Sequence, residues 1–459
     1  MITCRAWAGK RYAVLGLARS GAATVAALLA SGASVVAWDA DEGARKSSPS
    51  PLQERGEHGN VSGSAHPPLP TLSPEGERAL EIADLDTIDL ARFDALVVSP
   101  GVPLNTLPLA ERARAAGIPI IGDIELFAQA RDELPMHWVV GITGTNGKST
   151  TTALVHHIVQ TAGKPSLMGG NIGLPILAQE PLPFGGVYVL ELSSYQLDLT
   201  QRLDCEVAVL LNITPDHLDR YPDFQGYADS KARLFAMQAK NHDAVIAIGD
   251  APSAAIARSL SAKAEHLHKI APGVCMDQSR WPALQGPHNA QNALAAITVC
   301  EVLGIDNAAI DAGLASFAGL PHRMERVGAV RGVAYVNDSK ATNAESTAPA
   351  LAAFAKGPGR VHWILGGRAK SDDLDACRPH FGHVAHAYTI GEAGPTFAAI
   401  LRSDMTVLES GTLSQAVRDA AANARTGDTV LLSPAAASFD QFRDYEARGD
   451  AFRAAVAAL

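Results

Sequence analysis

The apolar positions of this chain recur as short runs that alternate with stretches of helical spacing. The run from Trp138 to Ile142 predicts a buried parallel strand. Apolar residues then follow at i, i+3, i+4 and i+7 from Val155, which predicts a helix that ends before Gly163. Because the same alternation recurs along most of the chain, the sequence predicts an α/β fold with largely parallel sheets.

The alternating elements fall into three groups, and a length of 459 residues also agrees with about three domains. We expect a Rossmann-like domain over residues 1–122, a central domain with a P-loop ATPase-like parallel sheet over 123–319, and a second Rossmann-like domain over 320–459. Residues 46–78 interrupt the first group, because they are rich in Pro, Ser and Gly and poor in large apolar side chains. This composition predicts a disordered surface insertion.

Composition narrows the possible partners and compartment. The net charge of -10 argues against binding to nucleic acid or to a membrane surface, since basic patches usually recognise both. The five cysteines are scattered without a C-x-x-C pair, which indicates a reducing compartment rather than disulfides or a zinc site. No apolar run approaches the ~18 residues of a membrane span. We therefore expect a cytoplasmic protein with no membrane insertion and no nucleic-acid partner.

The turn between the first strand and helix described above has the chemistry of a phosphate site. It reads GTNGKS from Gly144 to Ser149. Backbone N–H groups at a helix N-terminus bind anions, Lys148 adds a positive charge, and Ser149 offers a hydroxyl to magnesium. The general P-loop pattern expects its first glycine at Ile142, so the match is partial, but strand, turn and helix together favour a phosphate site over a chance lysine.

The N-terminal strand, turn and helix resemble a dinucleotide-binding unit with one departure. Gly16 and Gly21 frame the turn and Asp39 ends the next strand, but Ala18 replaces the middle glycine that a pyrophosphate would approach. A nucleotide in another pose, NAD and a purely structural unit all remain open on this pattern.

Polar residues follow several other strands, at the sheet edge where open α/β sheets bind ligands. Glu191 ends a strand beside the phosphate site and could hold magnesium, although a structural partner would also explain it. His217 lies in a loop with two aspartates, which is a weak signal for a metal or a base. Asn289 and Asn292 are three residues apart in a predicted helix and could reach a base or ribose, although helix capping by Asn289 explains that residue equally well.

Taken together, these segments resemble the Mur ligase family. The resemblance extends over nearly the whole chain and rests on eight segments in the family's order: GTNGKST (144–150), GGNIG (169–173), ELSSYQL (191–197), TPDHLDRYPD (214–223), GPHNAQNA (286–293), LPHRME (320–325), NDSKATN (337–343) and LLSPAAASFDQF (431–442). The stretch at 46–78 is not expected in the family, but it lies outside these segments.

The resemblance implies an ATP-dependent amide ligase of peptidoglycan precursor synthesis. Such an enzyme phosphorylates a substrate carboxylate, and the amine of an incoming amino acid then attacks the acyl phosphate, releasing phosphate. The expected substrates are UDP-N-acetylmuramoyl-L-alanine and D-glutamate. The expected cofactors are ATP, two Mg²⁺ ions and CO₂ bound as a lysine carbamate, and the expected state is a monomer.

The resemblance also implies roles for individual residues. The expected catalytic residues are Lys148, His217 and Lys231, of which Lys231 would be the carbamylated lysine, although by its pattern alone it is an ordinary helix lysine. The expected magnesium ligands are Ser149, Glu191, His217 and Lys231. The expected ATP contacts are Gly144, Thr145, Asn146, Gly147, Lys148, Ser149, Thr150, Asn289, Asn292, Arg323 and Asp338. The expected contacts of the UDP substrate are Arg19, Ser20, Gly21, Asp39, Ser99, Gly101 and Asn171. The expected contacts of D-glutamate are Lys340, Thr342, Lys370, Ser438 and Tyr445, the last of which is Phe in the family pattern.

Two alternatives remain at this point. A related Mur ligase or a folylpolyglutamate-synthase-like ligase would share the central domain. However, Gly16, Ser20 and Asp39 favour a UDP-sugar, and the segments at 337–343 and 433–442 favour D-glutamate. A non-catalytic nucleotide-binding regulator is the alternative from another class, and it would not need the second metal site that the set of Lys148, Glu191, His217 and Lys231 implies.

Overall fold

The computed structural model of the chain describes residues 1–46, 80–216, 220–262, 264–273, 276–355, 357, 359–369, 371 and 373–459. All but the first residue of the insertion expected at 46–78 therefore lies outside the described residues, as do His217 and Lys370. Within the described ranges, no helix is both long and apolar enough to cross a bilayer.

The chain forms two compact units. One comprises residues 1–275 with 291–314, and the other comprises residues 276–290 with 315–459. The first unit contains two sheets and the second contains a third sheet. The domain boundaries expected at residues 122 and 319 remain predictions.

The first sheet is parallel, with strand order β3-β2-β1-β4-β5. Its central strands are entirely apolar on the buried positions, as the runs in the sequence predict. The strands are β1 (Arg11–Leu15), β2 (Ser34–Trp38), β3 (Leu80–Ile82), β4 (Ala95–Val98) and β5 (Ile120–Ile121), and the helices are α1 (Arg19–Ala30), α2 (Glu42–Lys46), α3 (Pro108–Ala115) and α4 (Asp123–Ala130).

The second sheet is also parallel, with strand order β11-β10-β9-β6-β8-β7. Its strands are β6 (His137–Thr143), β7 (Ser166–Gly170), β8 (Gly186–Glu191), β9 (Val207–Leu210), β10 (Asp243–Ala247) and β11 (His266–Ile270). Its helices are α5 (Lys148–Thr161), α6 (Ser194–Asp198), α7 (Phe224–Ala236) and α8 (Ala251–Leu260), and α9 (Pro287–Val302) and α10 (Asn307–Ser316) follow in the chain. Because β6 lies between β8 and β9, Ile142 pairs with Glu191 and Thr143 with Leu210. The polar residues after these three strands therefore lie at one edge.

The third sheet has strand order β12-β13-β17-β14-β15-β16 and is parallel except for β12. Its strands are β12 (Glu325–Val330), β13 (Val333–Asn337), β14 (Val361–Gly366), β15 (Val384–Ile390), β16 (Thr406–Gly411) and β17 (Thr429–Leu432). Its helices are α11 (Ala344–Ala352), α12 (Gly394–Leu401), α13 (Leu413–Asn423) and α14 (Tyr445–Ala457).

The antiparallel strand β12 was not predicted from the sequence. It pairs with β13 through a two-residue turn in which Arg331 has φ 52° and Gly332 has φ 77°. Both central residues of such a hairpin turn need positive φ, for which Asn-Gly or Asp-Gly is the usual signal. Arg-Gly carries only half of that signal. The third group of elements is therefore α/β as expected, but its sheet is mixed rather than parallel.

Trp363 anchors the core of the third sheet, and its removal tests that core. The side chain on β14 is 0% exposed, and its Nε1 donates to the Ser433 carbonyl at 2.8 Å. We expect Trp363→Ala to lower the free energy of unfolding by roughly 3–5 kcal/mol, because it leaves a cavity and an unpaired carbonyl. Urea unfolding monitored by hydrogen exchange in the third sheet measures this loss.

Phe439→Ala is the control for this substitution, because Phe439 is 65% exposed. It should change the same quantity by no more than about 0.5 kcal/mol. Equal losses in the two variants would contradict the anchoring role of Trp363.

Candidate active site

The turn after β6 is shaped by two glycines. Gly144 has φ 152°, and Gly147, the N-cap of α5, has φ 84°. A Cβ on Gly147 would lie 2.4 Å from Oδ1 of Asn292, so the backbone approaches its neighbour as only glycine allows. Since glycine is the N-cap, no N-cap side chain fills the space before the first turn of α5, where Lys148, Ser149 and Thr150 lie. This arrangement is typical of an anion site.

Asn212, which sequence reasoning missed, holds this turn in place. Its carbonyl accepts from the Thr145 N–H at 2.9 Å, and its Oδ1 accepts from the Asn146 N–H at 2.8 Å. Its Nδ2 donates in return to the Asn146 carbonyl at 3.0 Å. Its position, just beyond the C-terminal end of β9, was the signal that could have identified it.

Two lysine side chains meet at a single backbone oxygen. Lys148 Nζ donates to the Gly144 carbonyl at 3.0 Å and to the Thr145 carbonyl at 2.8 Å. Lys231 Nζ donates to the same Gly144 carbonyl at 2.9 Å. The ordinary interpretation of Lys231 as an exposed helix lysine is wrong, because its side chain is 1% exposed and lies over the Tyr227 ring.

This environment favours the neutral form of the Lys231 amine. Burial is the largest cause that holds the pKa of Lys231 well below its ordinary value, and the positive charge of Lys148 acts in the same direction. The carboxylates of Asp216, Asp198 and Glu191 oppose this shift. A buried amine with a lowered pKa is a nucleophile rather than a simple ion-pair partner.

Glu191 presents one carboxylate oxygen that suits a cation. The side chain is 2% exposed, and its Oε1 accepts from Asn171 Nδ2 at 3.0 Å. Its Oε2 is buried and has no hydrogen-bond partner among the described residues. A buried carboxylate oxygen without a donor is costly, and a hard cation such as magnesium would offset that cost.

Three of the four expected magnesium ligands lie among the described residues. Ser149 is buried at the start of α5, and Lys231 and Glu191 lie as described above. His217 lies outside the described residues. Within the described ranges, no three His, Cys, Asp or Glu residues are grouped closely enough to hold a metal by themselves. The set expected from the sequence also includes the Ser149 hydroxyl and a modified Lys231.

At the first sheet, the ends of β1 and β4 are in direct contact. Ser99 Oγ donates to the Gly16 carbonyl at 2.9 Å. A Cβ on Gly21 would overlap the Gly16 carbonyl oxygen at 1.7 Å, so the first turn of α1 requires glycine there. Ser20, Gly21 and Ser99 line one small cleft, which agrees with a ligand near the N-terminus of α1.

Asp39 faces the turn that precedes α1. Its Oδ2 accepts from the Leu17 N–H at 2.6 Å, and its Oδ1 accepts from the Asp41 N–H at 2.9 Å. The carboxylate is thus fixed beside the turn by backbone donors.

Two arginines join loops of the first sheet to loops of the second sheet within the first unit. Arg19 Nη2 donates to the Gly173 carbonyl at 3.2 Å. Arg220, which sequence reasoning missed, donates to the carbonyls of Gly101 at 3.4 Å and Val102 at 2.8 Å and lies over the Tyr195 ring. These contacts place Arg19, Gly101 and Asn171 on neighbouring loops.

Three of the expected ATP contacts, Asn289, Arg323 and Asp338, belong to the second unit. Asp338 is 7% exposed, its Oδ1 accepts from the Met324 N–H at 3.1 Å, and its Oδ2 accepts from Ser433 Oγ at 2.8 Å. Burial raises the pKa of Asp338 to about 7. Arg323 is half-buried next to Met324. Asn289 lies in the first turn of α9, and its side chain donates to the Gln285 carbonyl at 3.0 Å, a local contact with the residues that precede the helix.

The residues expected around D-glutamate come together at the strand ends of the third sheet. Lys340 Nζ lies 4.0 Å from the centre of the Tyr445 ring, and Ser438 is 2% exposed. Thr342 is half-buried on the same loop as Lys340. Lys370 lies outside the described residues.

Comparison with family models gives two matches. Residues 142–274 match the model of the Mur ligase middle domain, and residues 322–436 match the model of the Mur ligase, glutamate ligase domain. Together these matches cover more than half of the chain.

Curated relatives match over the full length. The chain is 59% identical over 462 residues to the UDP-N-acetylmuramoylalanine--D-glutamate ligase of Sphingopyxis alaskensis, covering 100% of both chains. It is 54% identical over 465 residues to the protein of the same name from Zymomonas mobilis, again covering 100% of both.

Solved structures of lower identity have the same fold. UDP-N-acetylmuramate-alanine ligase from Thermotoga maritima is 16% identical, with a TM-score of 0.57, covering 98% of this chain and 99% of that one. The MurF ligase from T. maritima in complex with ADP is 15% identical, with a TM-score of 0.57, covering 98% and 96%.

The conformation of Gly147 can be tested by a single methyl group. We expect Gly147→Ala to weaken ATP binding roughly tenfold or more, because positive φ strains an L-residue and the methyl group displaces Asn292. Isothermal titration of the variant with ATP and magnesium measures the change.

Gly163→Ala is the matched control. Gly163 follows the other end of α5 and has φ 75°, but a Cβ there meets nothing within 4 Å. A similar loss of affinity in both variants would show that helix stability, not the shape of the turn, is responsible.

Proposed function

This chain belongs to the Mur ligase family, and we propose that it is the ATP-dependent ligase that joins D-glutamate to UDP-N-acetylmuramoyl-L-alanine in peptidoglycan precursor synthesis. The observation that carries this proposal is the pair of lysines on the Gly144 carbonyl beside a glycine-capped helix and a buried Glu191. Relatives that bear the name of this ligase and match over the whole chain support the choice of substrates.

The chemistry explains why such a site is needed. A carboxylate at neutral pH resists attack by an amine, because its carbonyl carbon is electron-rich and oxide is a poor leaving group. Transfer of the ATP γ-phosphoryl group to the carboxylate of the UDP substrate supplies phosphate as the leaving group. The amine of D-glutamate attacks the acyl carbon, the C–N bond forms, and the C–O bond to phosphate breaks.

We assign the phosphates of ATP to the turn 144–147 and the first turn of α5. On this assignment, Lys148 Nζ would exchange its bond to the Gly144 carbonyl for one to a phosphate oxygen and offset the charge that accumulates during phosphoryl transfer. The Thr145 and Asn146 N–H groups are held by Asn212, so the shape of the turn is fixed before ATP arrives.

Magnesium fits the donor set that we assign to it. Ser149, Glu191, His217 and Lys231 as a carbamate would supply oxygen and imidazole ligands, and Glu191 Oε2 is a buried oxygen that has no donor among the residues that the structure describes. When bound, the cations would neutralise charge on the phosphates. The number of two ions rests on the family resemblance.

Carbamylation of Lys231 follows from the chemistry of its amine. The nitrogen lone pair attacks the carbon of CO₂, an N–C bond forms, and one proton leaves to solvent. The reaction needs a neutral amine, which the lowered pKa of Lys231 supplies. It also places an anion beside the Lys148 cation at the Gly144 carbonyl, which is electrostatically favourable.

The other substrates are assigned to the remaining sheets. We place the UDP moiety at the first sheet, in a domain over residues 1–122, with Ser20, Gly21, Asp39 and Ser99 around it. We assign D-glutamate to the third sheet, in a domain over residues 320–459 that follows the central domain. A monomer in the cytoplasm agrees with this function.

Amino-acid dependence provides the central test. Purified protein with ATP, magnesium and UDP-N-acetylmuramoyl-L-alanine should release phosphate when D-glutamate is added, and at least about 100-fold more slowly with L-glutamate. Continuous phosphate detection measures this, and mass spectrometry identifies the amide product.

Other results would point to other functions. Release that is equally fast without any amino acid, or equal with both enantiomers, would contradict the proposal. Preference for a folate acceptor would favour the related glutamate ligase, and binding of ATP with no turnover for any acceptor would favour a nucleotide-binding regulator.

Lys231→Ala tests the carbamate. Activity should fall by about 100-fold or more, because a magnesium ligand is lost, and added acetate or formate should restore part of it by supplying an anionic oxygen. The rate of phosphate release is measured over 0 to about 100 mM acetate or formate at constant ionic strength, and its increase measures the rescue.

Lys164→Ala is the control, since Lys164 also donates to a carbonyl, that of Leu303, at 2.7 Å. It should retain activity and show no response to the acids. Full activity of Lys231→Ala without any added acid would rule out the carbamate.

A further inference from the structure

Arg448 is a buried arginine in the second unit that no role assigned above explains. It lies in the first turn of α14, and its side chain is 1% exposed. Arginine is almost never fully buried unless a carboxylate pairs with it. In the part of the chain that the structure describes, all hydrogen bonds of this guanidinium go to hydroxyl or carbonyl oxygens.

These bonds connect three loops that come from different strands. Nε donates to Ser339 Oγ at 3.0 Å, and Nη2 donates to the Ser339 carbonyl at 2.8 Å. Nη1 donates to the Ala436 carbonyl at 3.0 Å and, more weakly, to the Gly366 carbonyl at 3.4 Å. The guanidinium thus joins the ends of β13, β14 and β17, which are adjacent in the third sheet.

Two of these loops carry residues that the proposed function assigns to D-glutamate. Lys340 and Thr342 follow Ser339, and Ser438 follows Ala436 two residues later. Ser339 Oγ also donates to the Tyr445 carbonyl at 2.8 Å, so the start of α14 is tied to the same point. Thus each of these four residues lies within three positions of a residue that bonds Arg448 or Ser339.

The charge of Arg448 is only weakly compensated. Burial lowers the pKa of Arg448 to about 10, so the group remains a cation at neutral pH. Asp440 is the carboxylate that acts on it electrostatically, but the Asp440 carboxylate accepts from the Glu392 N–H instead. A buried cation with four carbonyl and hydroxyl partners creates a positive potential at these strand ends.

We propose that Arg448 is a positioning residue for the amino-acid substrate: its guanidinium sets the spacing of the three loops, and its weakly compensated charge favours a dicarboxylate over a neutral amino acid. This inference rests on the proposed function, because it takes D-glutamate to bind at these loops. Arg448 itself is buried beneath the loops, so it acts through Lys340, Ser438 and their neighbours.

Steady-state kinetics of two variants test the inference. Arg448→Met keeps most of the side-chain length but removes the guanidinium N–H donors and the charge. Arg448→Lys keeps the charge but loses the planar set of guanidinium N–H donors. We expect the KM for D-glutamate to rise about tenfold or more in the Met variant and by an intermediate amount in the Lys variant. The KM for UDP-N-acetylmuramoyl-L-alanine should remain within about twofold, because that substrate is assigned to the first unit.

Arg360→Met is the matched control. Arg360 also donates from its guanidinium to backbone carbonyls, those of His383 at 3.3 Å and Val384 at 2.6 Å, but at the opposite end of the sheet. It should leave all KM values unchanged. Thermal unfolding of each variant shows whether the chain is folded, and if the Met variant is not, the Lys variant and the control carry the test.

The outcomes separate the inference from the function on which it rests. Wild-type protein that shows no D-glutamate-dependent phosphate release contradicts the proposed function. If the wild-type protein does release phosphate in response to D-glutamate, two results overturn the role of Arg448. In one, the variants change all KM values equally, and in the other, the variants lower only the unfolding temperature. A selective rise in the KM for D-glutamate in Arg448→Met that is smaller in Arg448→Lys supports this role.

Discussion

The carbonyl oxygen of Gly144 is the point on which the central site depends. It accepts hydrogen bonds from Lys148 and from Lys231, which approach it from different helices. Gly144 and Gly147 both have positive φ, and Gly147, as the N-cap, places no side chain in front of α5. Two amines on one acceptor are electrostatically unfavourable if both are charged, so the site is built to bind anions or to lose one positive charge.

The same tension between burial and charge recurs at the other sites of the molecule. Glu191 has a buried oxygen with no donor in the described part of the chain, Asp338 has a pKa raised to about 7, and Arg448 is buried among carbonyls. Each of these groups lies at the carboxyl ends of parallel strands, where a sheet can hold polar groups together without disturbing its apolar core. Local instability is thus concentrated where substrates are proposed to bind.

The sequence predicted the α/β class and the central strand, turn and helix, because apolar runs and glycines are local signals. It did not reveal β12, because Arg331 and Gly332 carry only part of the usual hairpin signal. Nor could it reveal that Lys231 is buried, since α7 has a lysine at a position where its pattern alone suggests exposure. The roles of Asn212, Arg220 and Arg448 depend on contacts between residues far apart in the chain, and no periodicity reports such contacts. The family resemblance identified Lys231, but it gave no physical reason for its behaviour.

The unpartnered oxygen of Glu191 has a consequence for the stability of the protein itself. Glu191 Oε2 is desolvated and has no hydrogen-bond donor among the described residues, which destabilises the folded chain, and a cation that binds only the folded chain restores that loss by mass action. At a hundredfold excess over its dissociation constant, such an ion would contribute about 2.7 kcal/mol to folding. Magnesium would then stabilise the folded chain as well as take part in the reaction, and depletion of the ion would lower the free energy of unfolding by that amount.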